Sequence, residues 1–400
     1  MNFAVVNLGC KVNRVESDEV AAVLLGSGAA EAACEDADLI VVNTCTVTGE
    51  AEKKTRKAVR RALRANGHAR VIVTGCAAAI DAGAYAAMDG RVEVVGKGDL
   101  LAAVAAAPGA SDAQVRVGGA FRTRVGIKVQ DGCDHACTYC IVHVARGPAT
   151  STPADKVAAE ARALAAAGAR EIVLTGINLG SYCDADLHLA GLLRRLLAET
   201  AGLHAPGELP ARFRLSSIEP LDVDEELIDL LAAAEGRVCR HLHLPLQAGS
   251  SKVLREMARP YDAGRYAALA DRLRERVPGI ALSTDIIVGF PGEDEGDFQK
   301  TLEVARRCGF SKIHVFPYSR REGTPAAARA DQVPASAKAD RAAALRTLGD
   351  ELRAADRARR SGSRELVLVE PGGVATTESY HEVPAPADAV PGALVCCLLP

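Results

Sequence analysis

The sequence predicts an α/β protein in four parts. These are an N-terminal parallel α/β domain over residues 1–110, a central partial (β/α)6 barrel over 120–335, a connecting helix over 336–360 and a short all-β appendage over 361–400. Three observations predict it. Short β-branched runs alternate with amphipathic stretches up to residue 335, the pattern of parallel strands joined by crossover helices. A stretch rich in Gly, Ala and Ser at 108–119 separates the first three runs from the others. Beyond residue 360 short alternating runs flank Gly372-Gly373, the sign of a small antiparallel module. A length of 400 residues suits two or three domains, and 48% hydrophobic with 25% charged residues is the balance of an ordinary globular chain.

In the first domain strands are expected at 4–8, 39–43 and 71–74, with a helix at 50–64 between the last two. In the barrel they are expected at 125–130, 171–175, 213–217, 241–244, 282–288 and 312–316. The stretch 153–167 carries helix punctuation, with Pro153 at its start and Gly168 after its end. In the appendage, 365–370 and 379–383 read as strands. No run of 18 or more apolar residues exists, so no membrane partner is expected. The start lacks a basic region before an apolar one, so no signal peptide is expected and the compartment is expected to be the cytoplasm. A net charge of −3 excludes a globally basic surface, so any nucleic-acid contact has to be local. Twelve cysteines in such a chain favour reduced thiols and metal ligation over disulfides.

The cysteines carry most of the chemistry. Cys133, Cys137 and Cys140 form C-x3-C-x2-C with Tyr139 before the last, in the loop after the first barrel strand. Sites in parallel barrels collect at that end of the strands. Three thiolates can hold three irons of a [4Fe–4S] cubane and leave the fourth open to the amino and carboxylate groups of S-adenosylmethionine. A structural zinc would want a fourth ligand. His135 and His143 stand nearby, but their spacing fits no common zinc signature. Cys10, Cys45 and Cys76 each follow one of the first three strands. Ligands of open α/β sheets gather beyond the carboxyl ends of the strands. Three cysteines placed alike there argue for a second three-thiolate cluster.

Other strand ends offer polar groups. Thr175, Gly176 and Asn178 follow the second barrel strand and suit an ammonium or carboxylate, or form a plain turn. Glu219 faces a ribose diol or caps a helix. His241, His243 and Gln247 alternate with leucines, so they share a polar face, either a barrel lining or satisfied core histidines. Gly289 lies in a Gly-Pro-Gly turn that suits adenine stacking on backbone. On the helix at 50–64, Lys53, Lys57, Arg60 and Arg64 fall on one face, which is either solvated or set against RNA phosphates.

With these residues in place the chain resembles the methylthiotransferases, radical S-adenosylmethionine enzymes with two iron–sulfur clusters. The likeness spans nearly the whole chain. Val129 to Cys133, Thr175 to Tyr182, Leu215 to Pro220, Cys239 to Gln247 and His314 to Ser319 are most similar to the branch that acts on threonylcarbamoyladenosine (t6A) in tRNA. Two other branches act on isopentenyl-adenosine in tRNA and on an aspartate of ribosomal protein S12. The resemblance implies two [4Fe–4S] clusters on Cys10, Cys45, Cys76 and on Cys133, Cys137, Cys140, with S-adenosylmethionine held by Tyr139, Thr175, Gly176, Asn178, Glu219, Gln247 and Gly289. It further implies methylthiolation at C2 of t6A at tRNA position 37, a small electron-transfer protein as reductant, and a monomer or weak dimer. The rival readings are the ribosomal-protein activity and a noncatalytic iron–sulfur RNA-binding protein.

Two departures from the family pattern stand out. His143-Val144 replaces a Pro-Tyr pair before Ala145-Arg146-Gly147, and Thr150-Ser151-Thr152 stands where basic residues are usual. The appendage resembles a shortened TRAM module, an RNA-binding β-barrel. It carries Arg364 against Glu365, Glu370, Glu378, Glu382 and Asp388, one positive and five negative charges. That count implies a module repelled by phosphates and removable with little loss of RNA affinity.

Overall fold

The computed structural model describes residues 1–46, 49–105 and 123–400. They group into two compact units: the described residues of 1–105 with Asp131–His135 and Cys140–Ala149, and 123–130 with Ala136–Tyr139 and Thr150–Pro400. The expected linker at 108–119 lies outside the described residues.

The first unit is built on a five-stranded parallel sheet. Its strands are β1 (Asn2–Asn7), β2 (Ala30–Glu31), β3 (Leu39–Thr44), β4 (Arg70–Gly75) and β5 (Val92–Val94), in the order β2-β1-β3-β4-β5. The three expected strands are its centre; β2 and β5, short edge strands, escaped the sequence reading. The centre is apolar on both faces, as a parallel sheet covered by helices must be. Ile40, Val42, Val71 and Val73 pack with Val59 and Ala62 of helix Gly49–Ala65. On the other face, Leu39, Val41 and Ile72 pack with Val20 and Leu24 of helix Lys11–Gly26.

The second unit holds six parallel strands: β6 (Arg124–Lys128), β7 (Glu171–Thr175), β8 (Arg212–Leu215), β9 (His241–His243), β10 (Ala281–Val288) and β11 (Lys312–Pro317). Ladders join β6, β7 and β8 into one sheet and β9, β10 and β11 into another. Parallel bridges Ser217↔His243 and Phe213↔Val238 link the two. Alternate residues such as Ile172, Leu174, Phe213, Leu215, Leu242, Leu282 and Ile286 join one large apolar cluster with the helices. The intervening residues, among them Glu171, Arg212, Arg214, His241, His243, Ser283 and Asp285, therefore face the other way, because strand side chains alternate. This inner face is polar and the helix-covered face is apolar. No helix among the described residues is long and apolar enough to cross a membrane.

Helix Ala335–Arg360 leads to a four-stranded antiparallel sheet of β12 (Arg364–Glu370), β13 (Val374–Thr377), β14 (Glu382–Pro384) and β15 (Leu394–Leu398), ordered β14-β13-β12-β15. The strand expected at 379–383 is instead a turn leading into β14. Tyr380 sits at φ +70° there, a conformation no strand tolerates. The turn is fixed by contacts to the barrel strands. Arg212 donates to the Leu366 carbonyl at 2.6 Å and the Thr376 carbonyl at 3.1 Å. Arg214 donates to the carbonyls of Thr377 at 2.9 Å and Glu378 at 3.0 Å, and its guanidinium lies 4.6 Å from the Tyr380 ring centroid. Glu171 neutralises the pair, with Arg212 Nη2 at 2.6 Å and Arg214 Nε at 2.7 Å. All three side chains are at most 1% exposed.

These contacts also correct the picture of a net acidic appendage. Glu365 pairs with Arg360 at 2.9 Å, Glu370 with Arg124 at 3.0 Å and Glu378 with Arg240 at 2.8 Å. Of the five acids, only Glu382 and Asp388 are exposed.

Candidate functional site

In the first unit the sheet brings the three N-terminal cysteines to one edge. Register places Asn7 beside Asn43 and Thr44 beside Gly75, so β1, β3 and β4 end nearly level; Cys45 and Cys76 come directly after, and Cys10 three residues past β1. Gly75 has φ +95°, and a Cβ there would meet the Thr44 carbonyl at 2.4 Å, so only glycine allows this close approach before Cys76. Cys45 and Cys76 are buried, while Cys10 is exposed. Asn13 ties the loops together, donating to Asn43 Oδ1 at 3.0 Å and the Thr44 carbonyl at 2.7 Å. Among the described residues, the one group of three or more His, Cys, Asp or Glu donors within 4.8 Å of one another is His243, Asp285 and His314. Cys10, Cys45 and Cys76 are not such a group in this structure, whereas the sulfur ligands of a tetrahedral zinc, at about 2.3 Å from the metal, sit roughly 4 Å apart. Three soft thiols gathered at the ends of adjacent strands suit an iron–sulfur cluster by their chemistry.

Cations surround this edge. Arg146 donates from Nε to Cys76 Sγ at 3.2 Å, from Nη1 to Glu16 at 3.1 Å and Asp131 at 2.6 Å, and from Nη2 to Asn13 at 2.7 Å. Its side chain is 1% exposed. Burial opposes the charge, but the Cys76 thiol, Glu16, Asp131 and Cys10 outweigh it and hold the guanidinium firmly protonated. Lys97 Nζ stands 3.5 Å from Cys76 Sγ and 3.5 Å from Glu16. The sequence quoted Arg146 only as part of a loop motif, and Lys97 carried no signal.

Cys133 and Cys140 belong to the first unit and Cys137 to the second. Gly132, at φ +70°, lets the chain pass Pro148, whose carbonyl a Cβ would meet at 1.8 Å, and Cys133 N donates to the Gly147 carbonyl at 3.1 Å. Cys140 Sγ accepts from Val142 N at 3.4 Å. His143 is half-buried and Val144 is 60% exposed. In the second unit, Thr138 is pinned by its N–H to the Met257 carbonyl at 3.1 Å and by its hydroxyl to the Glu256 carbonyl at 2.9 Å. Tyr139 packs on the apolar core. Arg259 Nη1 donates to Cys137 Sγ at 3.1 Å, its Nε and Nη2 reach Tyr261 Oη, and Nη2 also pairs with Glu219. Arg259 follows Ala258, which sits at φ +58°; nothing in the sequence marked it.

The remaining candidates divide into engaged and open groups. Glu219 is bound by Arg259. Asn178 spends its amide on Asp222 Oδ2 at 2.8 Å and on Glu219 N at 3.3 Å. Gly176 lies against Gln130, whose Oε1 a Cβ would meet at 2.8 Å. Gly289, at φ +73°, lies against the Lys338 side chain and donates its N–H to Glu293 at 2.8 Å. Gln247 sits at φ +66° with its backbone bridging Asp285 and Ile287. The hydroxyls of Thr175 and Ser216 are buried without a hydrogen-bond partner. Ser216 follows β8, and its N–H donates to the Leu174 carbonyl on β7, so the two hydroxyls end neighbouring strands on the inner face. Ser216 appeared in the sequence reading only within a motif. Lys53, Lys57, Arg60 and Arg64 are all exposed, opposite the buried Thr55, Val59 and Ala62.

Comparison with known proteins accords with this arrangement. Residues 127–305 match the Radical SAM superfamily, and residues 2–96 match Uncharacterized protein family UPF0004. The chain belongs to the radical S-adenosylmethionine methylthiotransferase family. It is 37% identical to the threonylcarbamoyladenosine tRNA methylthiotransferase MtaB of Bacillus subtilis, over 86% of this chain and 79% of that protein. It is 36% identical to the MtaB of Thermotoga maritima, over 90% and 85%. A tRNA-2-methylthio-N(6)-dimethylallyladenosine synthase of Sorangium cellulosum is also 36% identical, over 92% and 81%. Among solved structures, the radical S-adenosylmethionine methyltransferase TsrM of Kitasatospora setae shares the fold with TM-score 0.59 at 16% identity, over 82% of this chain and 77% of that one.

Proposed function

We propose that this chain is a tRNA methylthiotransferase that adds a methylthio group to C2 of N6-threonylcarbamoyladenosine at tRNA position 37. The observation that carries the reading is the pairing of Cys10, Cys45 and Cys76 at three level strand ends with the C-x3-C-x2-C loop at 133–140, in a chain similar over most of its length to enzymes of that name. These six thiols would hold two [4Fe–4S] clusters, which would supply the electron for reductive cleavage of S-adenosylmethionine and the sulfur of the methylthio group.

The chain's own residues hold and shield this chemistry. Arg259 orients the Cys137 thiol, and Arg146 with Lys97 orients that of Cys76. A cation hydrogen-bonded to a ligating sulfur favours the thiolate and offsets cluster charge. Thr175 and Ser216 keep buried, unpaired hydroxyls on the inner face for a polar cosubstrate. The leucine-rich opposite face, sealed by helices, excludes water from the sheet. Lys53, Lys57, Arg60 and Arg64 offer phosphate contacts to the tRNA backbone. A small electron-transfer protein is the reductant of choice, and the cytoplasm is the compartment where tRNA is met.

A relative 36% identical bears the name tRNA-2-methylthio-N(6)-dimethylallyladenosine synthase, which keeps the dimethylallyl substituent as the second reading. Mass spectrometry of tRNA nucleosides from cells with and without the gene separates the two. Loss of the methylthio form of t6A supports the first reading, and loss of the methylthio form of dimethylallyladenosine supports the second.

A further inference from the structure

We propose that Arg146 is the positioning residue that fixes the spacing between the two cysteine trios, with helix Val142–Arg146 as the spacer; this rests on the two-cluster reading above. The helix has a thiol at each end. Val142 N–H donates to Cys140 Sγ at 3.4 Å, and Arg146 Nε donates to Cys76 Sγ at 3.2 Å. Its five residues, at about 1.5 Å each, span about 7–8 Å. The turn after the helix holds a third cysteine, because the carbonyl of Gly147, at φ +78°, accepts from Cys133 N at 3.1 Å. The same helix lies against helix Cys76–Ile80, which Cys76 opens. Within the first unit, Cys76, Cys133 and Cys140 are thus tied to one short segment.

A helix this short is marginal by itself, so its place depends on anchors. Arg146 supplies them in two directions. Towards the N-terminal trio it donates to Cys76, to Glu16 at 3.1 Å and to Asn13 Oδ1 at 2.7 Å. Asn13 Oδ1 also accepts from Cys10 Sγ at 3.6 Å, and Asn13 donates to the carbonyl of Thr44, the residue before Cys45. Towards the second trio, Arg146 Nη1 donates to Asp131 at 2.6 Å. That carboxylate accepts from Gly132 N at 2.8 Å as well, next to Cys133. A planar guanidinium makes these bonds at once, whereas an ammonium of equal charge lacks the fork. A cation that served Cys76 alone would need no partner at Asp131, and one that served the 131–147 loop alone would need none at Asn13 and Cys76. The proposed reaction needs the products of both sites at one carbon, so the separation of the sites bears directly on it.

The test uses the anaerobically reconstituted full chain with both sites reduced, as wild type, Arg146→Lys and Asp131→Ala. Electron paramagnetic resonance reads the broadening that each reduced cluster imposes on the other, which falls steeply with separation. The references are the two alanine variants of the cysteine trios, each holding one cluster. Wild type is expected to hold about eight irons and to show the broadening. Both substitutions are expected to keep the iron and lose most of the broadening. Broadening absent from wild type, or unchanged in both variants, overturns the spacer. Hydrogen exchange of the cluster-free chain gives a reading that needs no iron. The amides of 142–147 should exchange roughly tenfold faster or more in both variants, the worth of one hydrogen bond to a charged group. Unaltered exchange there, with only a lower unfolding midpoint, makes Arg146 a general stabiliser and overturns the proposal. A wild type that holds only about four irons overturns the two-cluster reading, and the spacer with it.

Discussion

Replacing Glu171 by Gln should destabilise the barrel strands and the C-terminal sheet together. Among the described residues Glu171 is the carboxylate paired with both Arg212 and Arg214, at 2.6 and 2.7 Å, and all three side chains are closed to solvent. Without it two buried guanidiniums face each other, held by four backbone carbonyls of residues 366, 376, 377 and 378. Breaking a buried ion pair by removing one partner costs about 3–5 kcal/mol. For a unit of this size that lowers Tm by about 6–20 °C, at some 2–4 °C per kcal/mol. Urea denaturation of cluster-free protein, with unchanged slope and a lower midpoint, is the assay. The wild type should also have an acid limb that the variant lacks. Burial alone would raise the Glu171 pKa, but Arg214 and Arg212 outweigh it and bring it from 4.5 to about 2. Its stabilisation is thus full above about pH 4.5 and is lost as pH falls towards 2. A loss below about 1 kcal/mol, or an acid limb identical in both proteins, refutes this account. Deleting residues 361–400 removes all four carbonyls, so it should lower the midpoint of the barrel itself; an unchanged midpoint would restore the view of a detachable appendage.

Three further outcomes are expected. Reconstituted protein should hold about eight irons, and replacing either cysteine trio by Ala should halve that; an N-terminal triple variant that keeps all its iron rules out the second cluster. Arg146→Gln, made where Cys133, Cys137 and Cys140 are already Ala, should lower iron retention and move the remaining cluster's potential to more negative values, since a cation is withdrawn from Cys76. An unchanged potential in redox titration followed by electron paramagnetic resonance would make Arg146 purely structural. Changing Lys53, Lys57, Arg60 and Arg64 to Gln should reduce the salt slope of tRNA affinity by about 0.7–0.9 per lost contact, and an unchanged slope would mark that face as merely solvated.

The sequence disclosed the parts whose cause is local. Residues 39–43, 71–74 and 171–175 were legible as strands because β-branched runs buried on both faces have few alternatives. The six cysteines were legible because each trio is tied to a strand end or a short spacing. What stayed hidden depends on distant partners. Arg212 and Arg214, alternating with Phe213 and Leu215, look like a solvent-facing pattern, yet their acceptors lie up to 164 residues along the chain. The acidity of the appendage was a true count with a misleading meaning, because Arg124, Arg240 and Arg360 lie outside it. Ser379 to Val383 alternates like a strand, but Tyr380 is turned to meet Arg214. Among the cofactor candidates, Asn178 and Glu219 met protein partners, while Thr175, named for its hydroxyl, keeps that hydroxyl open.

The reach of Arg146 has a consequence for biosynthesis. The N-terminal sheet and its three cysteines are complete by residue 105, but the guanidinium that meets Cys76, Glu16 and Asn13 is encoded roughly 40 residues later. At about 5–20 residues per second, a nascent chain spends on the order of 2–8 s with its sheet translated and that cation missing. During this interval the carboxylate of Glu16 has no guanidinium to accompany it into the interior, and Cys76 lacks one of the two cations that steady it. Cys76 would therefore gain the second of its two cations only after the 133–146 loop has been translated. A fragment cut at the boundary of the N-terminal family match, residue 96, would lack Lys97 as well as Arg146 and so leave Cys76 and Glu16 without either cation.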